Sequence, residues 1–209
     1  TKMIGCYKAL AKVGLNEKDD QIKDNLKPMK KALAFCQNIR TSQIFSSEFS
    51  NVVNDYSSHE DEPNDEKTDL KVELFHVDGT FNAEQRNEKL RWLKEDTDKN
   101  TCRVLTNARC LSEGVDVPSL DAIMFLHPRK SQIDVVQSVG RVMRKSEGKN
   151  MGYVILPITV APGVSAEKTL NENERYEVVW QILNALRAHD ERFDSTINRI
   201  GLGEDVSDR

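Results

Sequence analysis

The run Lys31-Ala32-Leu33-Ala34-Phe35-Cys36 decides the fold of this 209-residue chain. It is short and almost continuously apolar, which is typical of a β-strand that is buried on both faces of a sheet. Thr41 or Ser42 stands where the N-cap of a following helix is expected. Apolar residues then recur at helical spacing, at Ile39, Ile44, Phe45, Phe49, Val52 and Val53. A buried strand that leads straight into an amphipathic helix predicts the first unit of a parallel sheet.

The same alternation continues down the chain. Further short apolar strands are predicted at Val72–Val77, Cys102–Thr106, Asp121–Leu126 and Gly152–Ile158. Helices are predicted between them, over about 82–95 and 133–145. This order predicts an α/β fold in which a central parallel sheet is flanked by helices on both sides. In open sheets of this kind, ligands bind at the loops that follow the carboxyl ends of the strands.

The chain divides into three segments. Residues 1–27 are polar and lysine-rich, and they predict a leading helix followed by a linker. Residues 28–162 hold the predicted sheet. Residues 163–209 are predicted as a helical extension with one long helix over about 171–189. The apolar stripe of that helix packs either on this sheet or on something outside the chain. The stretch 57–69 has six acidic and no apolar residues, which predicts a solvated loop.

Composition narrows the classes of protein and of site. The formal net charge of −4 gives no overall attraction to nucleic acid, so any such binding needs a local patch. The four cysteines have no CxxC spacing and no histidine at a metal-ligand offset, which favours free thiols in a reducing cytoplasm and no metal site. We find neither a signal peptide nor an apolar run long enough to cross a membrane. Because the chain begins at Thr1 in mid-pattern, we expect it to be a piece of a longer protein.

Two tryptophans and a histidine have ordinary interpretations beside functional ones. Trp92 and Trp180 fall on apolar helix faces, which favours core packing over base stacking. His76 lies at a strand end, where either packing or a functional role is expected.

Charged and polar side chains follow the predicted strands. One group is His76-Val77-Asp78-Gly79 with Arg86 in the next helix, and a second is Ser112-Glu113-Gly114-Val115-Asp116-Val117-Pro118. The third is Gln137-Ser138-Val139-Gly140-Arg141-Val142-Met143-Arg144. Taken alone, each group is only a weak sign of function. Asp-Gly is a common turn, and two arginines three residues apart on one helix face predict a solvated basic helix end.

In this order and spacing, however, the groups resemble the motifs of a known family. The chain resembles the second, C-terminal RecA-like domain of superfamily 2 helicases and translocases over about residues 31–157. Residues 32–36 resemble motif IV, residues 112–118 resemble motif V, and residues 137–144 resemble motif VI. The resemblance implies a RecA-like three-layer fold, here with helical extensions at both ends.

The resemblance also implies roles in ATP binding. Arg141 and Arg144 match the motif VI arginines, which act as arginine fingers that neutralise charge on the transferring phosphoryl group. Gln137 is implied to hold nucleotide or interdomain contacts. Asp116 suits a ribose hydroxyl or a motif VI arginine, and Gly114 allows close backbone approach.

Nucleic-acid contacts are implied at two places. Thr106 and Asn107 lie near the family position that binds the nucleic-acid backbone, and which of the two makes that contact stays open. Ser42 is either a phosphate contact at a helix start or a plain N-cap.

Two motifs of a complete ATPase are missing from the sequence: the Gly-x-Gly-Lys-Thr/Ser loop and the acidic Mg²⁺-binding box. The resemblance therefore implies that ATP and Mg²⁺ are bound mainly by the N-terminal RecA-like domain, and that this piece alone does not hydrolyse ATP. The wording of motifs V and VI resembles bacterial restriction-modification motors more than DEAD-box RNA helicases, which implies duplex DNA held through its phosphates. The alternative is a non-catalytic nucleic-acid- or protein-binding module that keeps the fold.

Overall fold

A computed structural model describes residues 2–13, 27–58, 68–108, 120–127, 131–142, 149, 151–174 and 176–189, the last five as backbone only. Its strands are β1 (Lys31–Phe35), β2 (Lys71–Asp78), β3 (Thr101–Ala108), β4 (Ala122–Phe125) and β5 (Tyr153–Ile155). Its helices are α1 (Lys2–Ala11), α2 (Ile39–Ser57), α3 (Ala83–Lys94), α4 (Gln132–Val142), α5 (Ala166–Asn171) and α6 (Glu177–His189).

The strands form one sheet in the order β2-β3-β1-β4-β5, and every neighbouring pair is parallel. β1 lies in the middle, where Phe35 is in register with Asn107 of β3 and with Phe125 of β4. Residues 32–35 are buried, as expected for a strand covered on both faces. The predicted parallel α/β sheet is confirmed, and its strands lie within two residues of the predicted bounds except that β5 is shorter.

A hydrophobic cluster lies on each face of the sheet. One face packs against α3, α4 and α6, through residues that include Leu93, Val139 and Val179. The opposite face packs against α1 and α2, through residues that include Leu10 and Phe49. Each fully buried leucine or phenylalanine stabilises the fold by roughly 1.5–3 kcal/mol, so these two layers hold the sheet in place.

The start of α2 differs from the prediction. Neither Thr41 nor Ser42 is the N-cap; the cap is Asn38, whose side chain accepts a hydrogen bond from the Thr41 backbone at 2.9 Å. The Thr41 hydroxyl accepts in turn from the Asn38 backbone, which completes a capping box. The helix therefore begins one turn earlier than predicted, and Ser42 lies inside it with a fully buried side chain.

The C-terminal segment also differs, because the long helix predicted over 171–189 begins only at Glu177, and a separate short helix precedes it. α5 ends at Asn171, and α6 starts at Glu177. The Asn171 side chain accepts a hydrogen bond from Trp180 Nε1 at 2.6 Å, across the turn between them. Asparagine competes with helical hydrogen bonds through its side chain, which favours a break here. α6 packs on this sheet, so the first of the two alternatives for its partner is the observed one.

Candidate functional site

Helix α4 carries the described part of the glycine-arginine motif. Val135, Val139 and Val142 are fully or almost fully buried and fix one side of the helix to the core. The opposite side is open to solvent: Ile133 is 67% exposed, Val136 is 50% exposed, and Gln137 and Gly140 are exposed. Gln137 is thus presented outward, beside two apolar side chains.

Arg141 lies in the last turn of α4 but is only 8% exposed. A guanidinium withdrawn from water needs hydrogen-bond acceptors around it, because an uncompensated buried charge is strongly unfavourable. Arg141 is therefore anchored within the domain rather than free on its surface. Arg144, Gly114 and Asp116 lie outside the described residues, so their predicted roles remain predictions.

The three predicted nucleic-acid residues lie at the carboxyl end of the sheet and at the start of α2. Ser42, Thr106 and Asn107 are all fully buried. Ser42 Oγ lies 2.9 Å from Thr106 Oγ1, and Thr106 Oγ1 lies 3.2 Å from the Ser42 carbonyl oxygen and 3.3 Å from that of Phe75. Thr106 thus joins α2, β2 and β3, while its side chain is covered by protein.

Asn107 joins the two central strands. Its side-chain Nδ2 donates to the Ala34 carbonyl oxygen at 3.1 Å, and its main-chain carbonyl oxygen accepts from the Cys36 backbone N–H at 2.9 Å. Its Oδ1 is buried and has no hydrogen-bond partner in the described part of the chain. The carboxyl end of β3 is therefore fixed by side-chain hydrogen bonds to both neighbouring strands and to α2.

A hydrogen-bonded chain extends from this point to the end of β2. His76 Nδ1 lies 2.7 Å from Ser42 Oγ, and His76 Nε2 lies 2.7 Å from Asp78 Oδ2. Asp78 Oδ1 accepts from the backbone and the hydroxyl of Thr80, at 2.7 and 2.6 Å. Burial opposes ionisation of Asp78, but these hydrogen bonds from Thr80 and His76 outweigh it and hold the pKa of the carboxyl below its ordinary value of 3.8. Asp78 is thus a carboxylate at neutral pH.

Sequence reasoning noted Ser42, His76 and Asp78 separately and missed that they form one chain. Part of it was accessible, because His76 and Asp78 are two apart in a strand and so share a face. The link to Ser42 spans 34 positions and depends on how α2 packs on β2.

The protein family described as "Helicase conserved C-terminal domain" matches this chain over residues 17–146, which is more than half of its length. The chain belongs to the helicase C-terminal domain family. This membership and the all-parallel sheet confirm the predicted family and the RecA-like fold class.

Among solved structures, this helicase C-terminal domain is similar to an ATP-dependent Type ISP restriction-modification enzyme, LlaBIII, bound to DNA. The two are 39% identical with a TM-score of 0.68, over 92% of this chain and 12% of that one. It is also 38% identical over 79 residues to putative helicase 22 of Sulfolobus islandicus filamentous virus, which is 38% of this chain and 13% of that protein. Probable helicase A859L of African swine fever virus is 33% identical over 93 residues, which is 43% of this chain and 10% of that protein. The matched part of the chain thus spans between about one tenth and one eighth of the length of these relatives.

The described residues hold neither a metal-binding cluster nor a membrane-spanning helix. No group of three or more His, Cys, Asp or Glu side chains is placed there to hold a metal ion such as Mg²⁺. None of the helices in this part of the helicase domain is long and apolar enough to cross a membrane.

Proposed function

We propose that this chain is the C-terminal motor domain of an ATP-dependent superfamily 2 DNA helicase or translocase of the restriction-modification type. One observation carries the proposal: 39% identity over 92% of the chain to an ATP-dependent Type ISP restriction-modification enzyme bound to DNA. In such a motor, this domain supplies one side of the ATP site and one side of the DNA track. The rest of the protein supplies the other side of the ATP site and of the DNA track. The whole motor acts in the cytoplasm.

ATP is bound mainly by the N-terminal RecA-like domain, together with Mg²⁺, which stabilises the charge of the phosphates. This chain's side of the nucleotide site is built from Gln137, Gly114, Asp116, Arg141 and Arg144. The outward position of Gln137 on α4 supports a contact across the cleft. The sequence of this chain contains no Gly-x-Gly-Lys-Thr/Ser loop, so the isolated chain does not hydrolyse ATP.

The two arginines have different roles within this proposal. Arg141 is almost covered by its own domain, which suits an arginine that fixes motif VI to the rest of the site, with Asp116 as the acid it meets. Arg144 is then the finger that stabilises charge on the transferring phosphoryl group.

DNA is contacted non-specifically, through its phosphates, near Ser42, Thr106 and Asn107. Because all three side chains are buried, their role is to hold the end of β3 in place, so that the chain after it meets the DNA backbone. This differs from the direct contact that the resemblance implies.

The test is Arg144→Ala in the intact protein, with DNA-stimulated ATP hydrolysis and thermal unfolding as readouts. Hydrolysis should fall by a factor on the order of 10³, the scale of an arginine finger, while the unfolding temperature is unchanged. Arg91→Ala is the matched control, because Arg91 is an exposed arginine on α3 and not part of the motif. Near-normal hydrolysis in the Arg144 variant would exclude the finger role. DNA binding without any ATP hydrolysis by the intact wild type would favour the non-catalytic module instead.

A further inference from the structure

We propose that His76 is a proton-controlled positioning residue, which sets the direction of the hydrogen bonds that run through Ser42 to Thr106. Protonation of its ring reverses both hydroxyl groups and thereby changes how the end of β3 is held. The proposal concerns the described chain itself. Only its consequence for the DNA track rests on the proposed function.

The first step fixes the proton on one ring nitrogen. Asp78 is ionised, and a carboxylate only accepts hydrogen bonds. His76 Nε2 lies 2.7 Å from Asp78 Oδ2, so Nε2 carries a hydrogen in both protonation states of the ring. The two states of His76 therefore differ only at Nδ1, which faces Ser42 Oγ at 2.7 Å.

In the neutral state, Nδ1 is an acceptor. The Ser42 hydroxyl then donates to Nδ1 and has no second hydrogen to give. The contact of 2.9 Å between the two hydroxyl oxygens therefore requires Thr106 to donate to Ser42. Thr106 is tied to α2 through a side chain alone.

In the protonated state, one proton from solvent adds to Nδ1, which now donates to Ser42 Oγ. The Ser42 hydroxyl hydrogen rotates to Thr106 Oγ1, and the Thr106 hydroxyl hydrogen rotates to the carbonyl oxygens of Ser42 and Phe75, at 3.2 and 3.3 Å. Thr106 is then tied directly to the main chains of α2 and β2. The same oxygen and nitrogen positions satisfy both states.

The surroundings of His76 fit a switch of this kind. Its side chain is 10% exposed, which gives a proton access to the ring. From its own strand it meets the Asp78 carboxylate, and from α2 the Ser42 hydroxyl. From the loop after β2 it meets the Phe81 ring, which is perpendicular to it with the two ring centres 6.0 Å apart. On β3 its register partner is Thr106. Asp78 is the charged group that the described residues place against the ring.

The consequence follows from the position of Thr106. It lies two residues before the end of β3, and the segment that contains Asp116 comes next in the chain. Protonation reverses the side-chain hydrogen bond between Ser42 and Thr106 and adds two main-chain ties at this point, so it stiffens the base of that segment. On the proposed function, the affinity of the motor for DNA then depends on the protonation of His76.

The test is an NMR pH titration of the 209-residue chain, with ¹⁵N-labelled histidine and ¹³C-labelled carbonyl groups. His76→Gln assigns the His76 signals among the four histidines. We expect Nε2 to remain protonated throughout while Nδ1 changes from unprotonated to protonated as the pH falls. The carbonyl carbon of Phe75 should shift with the same midpoint, because it gains the Thr106 hydrogen bond.

Ser42→Ala is the decisive variant, because it cuts the chain between His76 and Thr106 and leaves the His76–Asp78 pair in place. In this variant His76 should still titrate, but the Phe75 carbonyl should no longer follow it. Thr106→Ser keeps the hydroxyl and should keep the response, whereas Thr106→Val should lose it. A Phe75 carbonyl that ignores the titration in the wild type, or that still follows it in Ser42→Ala, would overturn the proposal.

This titration needs neither ATP nor DNA, so it can succeed or fail independently of the motor assignment. A second measurement tests the consequence: the DNA concentration for half-maximal ATP hydrolysis by the intact protein, measured across the same pH range. The wild type should show a change of several-fold with the midpoint of the NMR titration, and Ser42→Ala should lack that step. If the DNA requirement of the wild type shows no such step, His76 affects only the structure of the domain, and the link to DNA is overturned.

Discussion

Tyr176 donates its hydroxyl hydrogen to the main-chain oxygen of Phe125, 3.1 Å away in the buried core. Phe125 ends β4 next to the central strand, and Tyr176 lies in the turn before α6. The same cluster contains Val179, Trp180 and Leu183. The described part of the C-terminal segment is therefore packed into the core of the sheet domain. Trp180 is only 5% exposed, which confirms the prediction that it packs in the core.

Leu183→Ala tests how much this segment stabilises the domain. The side chain is 6% exposed within the core, so its truncation should lower the free energy of unfolding by about 2–5 kcal/mol. Gln181→Ala is the control, because Gln181 is exposed on the same helix and should change stability by about 0.5 kcal/mol or less. Urea unfolding followed by circular dichroism measures both. Equal midpoints for the two variants would show that α6 is an appendage.

Tyr176→Phe isolates the hydrogen bond from the packing, since it removes only the hydroxyl. The buried Phe125 carbonyl then loses a donor, and the free energy of unfolding should fall by about 1 kcal/mol. The urea midpoint should drop without a change in the slope of the transition. An unchanged midpoint would mean that Phe125 finds another donor.

The positions of the strands were predictable, and the environment of the site was not. Residues 32–35 read as a buried strand because apolar residues alone stand there, and this needs no knowledge of the neighbours. The periodicity of α4 likewise indicates which side is apolar. It does not show that Arg141 is covered, because the exposed fraction of that side chain depends on what packs against the end of the helix. The start of α2 was missed because Asn38 precedes the first clear apolar repeat, and its capping box is a local side-chain contact that periodicity does not contain.

The nucleic-acid candidates show the same limit. Thr106 and Asn107 were expected at a strand end, and they lie at that end. Their burial follows from neighbours that come together only in the folded domain, such as Ala34 of β1 and Ser42 of α2. A position along a strand can be read from sequence, but the exposed fraction of a polar side chain at its end cannot.

Arg141 and Gln137 should respond differently to truncation. Arg141→Ala removes a charged group that is 8% exposed, so the domain should lose about 2 kcal/mol of stability or more. Gln137→Ala removes an exposed amide and should leave stability unchanged. Thermal unfolding of the 209-residue chain measures both. In the intact protein, Gln137→Ala should then lower ATP hydrolysis without any loss of folded protein, and normal hydrolysis would exclude its contact with the nucleotide.

Acid should weaken the domain through Asp78. The pKa of its carboxyl is held below the ordinary value of 3.8 in the folded chain, so the unfolded chain binds the proton first. Stability from Asp78 is therefore fully present above its unfolded pKa and is lost as the pH falls through its folded pKa. Asp78→Asn should be less stable than the wild type at pH 6, and the difference should shrink below about pH 4. Urea midpoints between pH 6 and pH 3 measure this.

Asp98→Asn is the control for that titration, because Asp98 is exposed in the turn before β3. Its midpoints should follow those of the wild type over the whole range. A constant difference between Asp78→Asn and the wild type would show that the carboxylate contributes through shape and not through its charge.

Lys12 should make the domain more stable as the pH rises. Burial lowers the pKa of its amine to about 8 from 10.5, although the charge of Asp121 partly opposes this. Between these values the unfolded chain binds more protons than the folded chain, so the free energy of unfolding rises with pH. Lys12→Met removes the buried charge and should be more stable than the wild type at pH 7. Its gain should decrease toward pH 9.5, where urea midpoints can still be measured below the titration of Tyr153.

Methionine is the suitable replacement because Lys12 has a positive φ of 59°. Glycine there would relieve backbone strain as well as remove the charge, and the two effects could not be separated. The ammonium also lies 4.6 Å from the centre of the Tyr153 ring, a contact worth about 0.5–1 kcal/mol that the variant loses. The pKa of Lys149 is also lowered by burial, so the stability of the Lys12→Met variant should still rise somewhat with pH. Lys2→Met is the control, because Lys2 is exposed, and its stability should follow that of the wild type. A Lys12→Met variant that is less stable than the wild type at pH 7 would show that the contact with Tyr153 outweighs the burial of the charge.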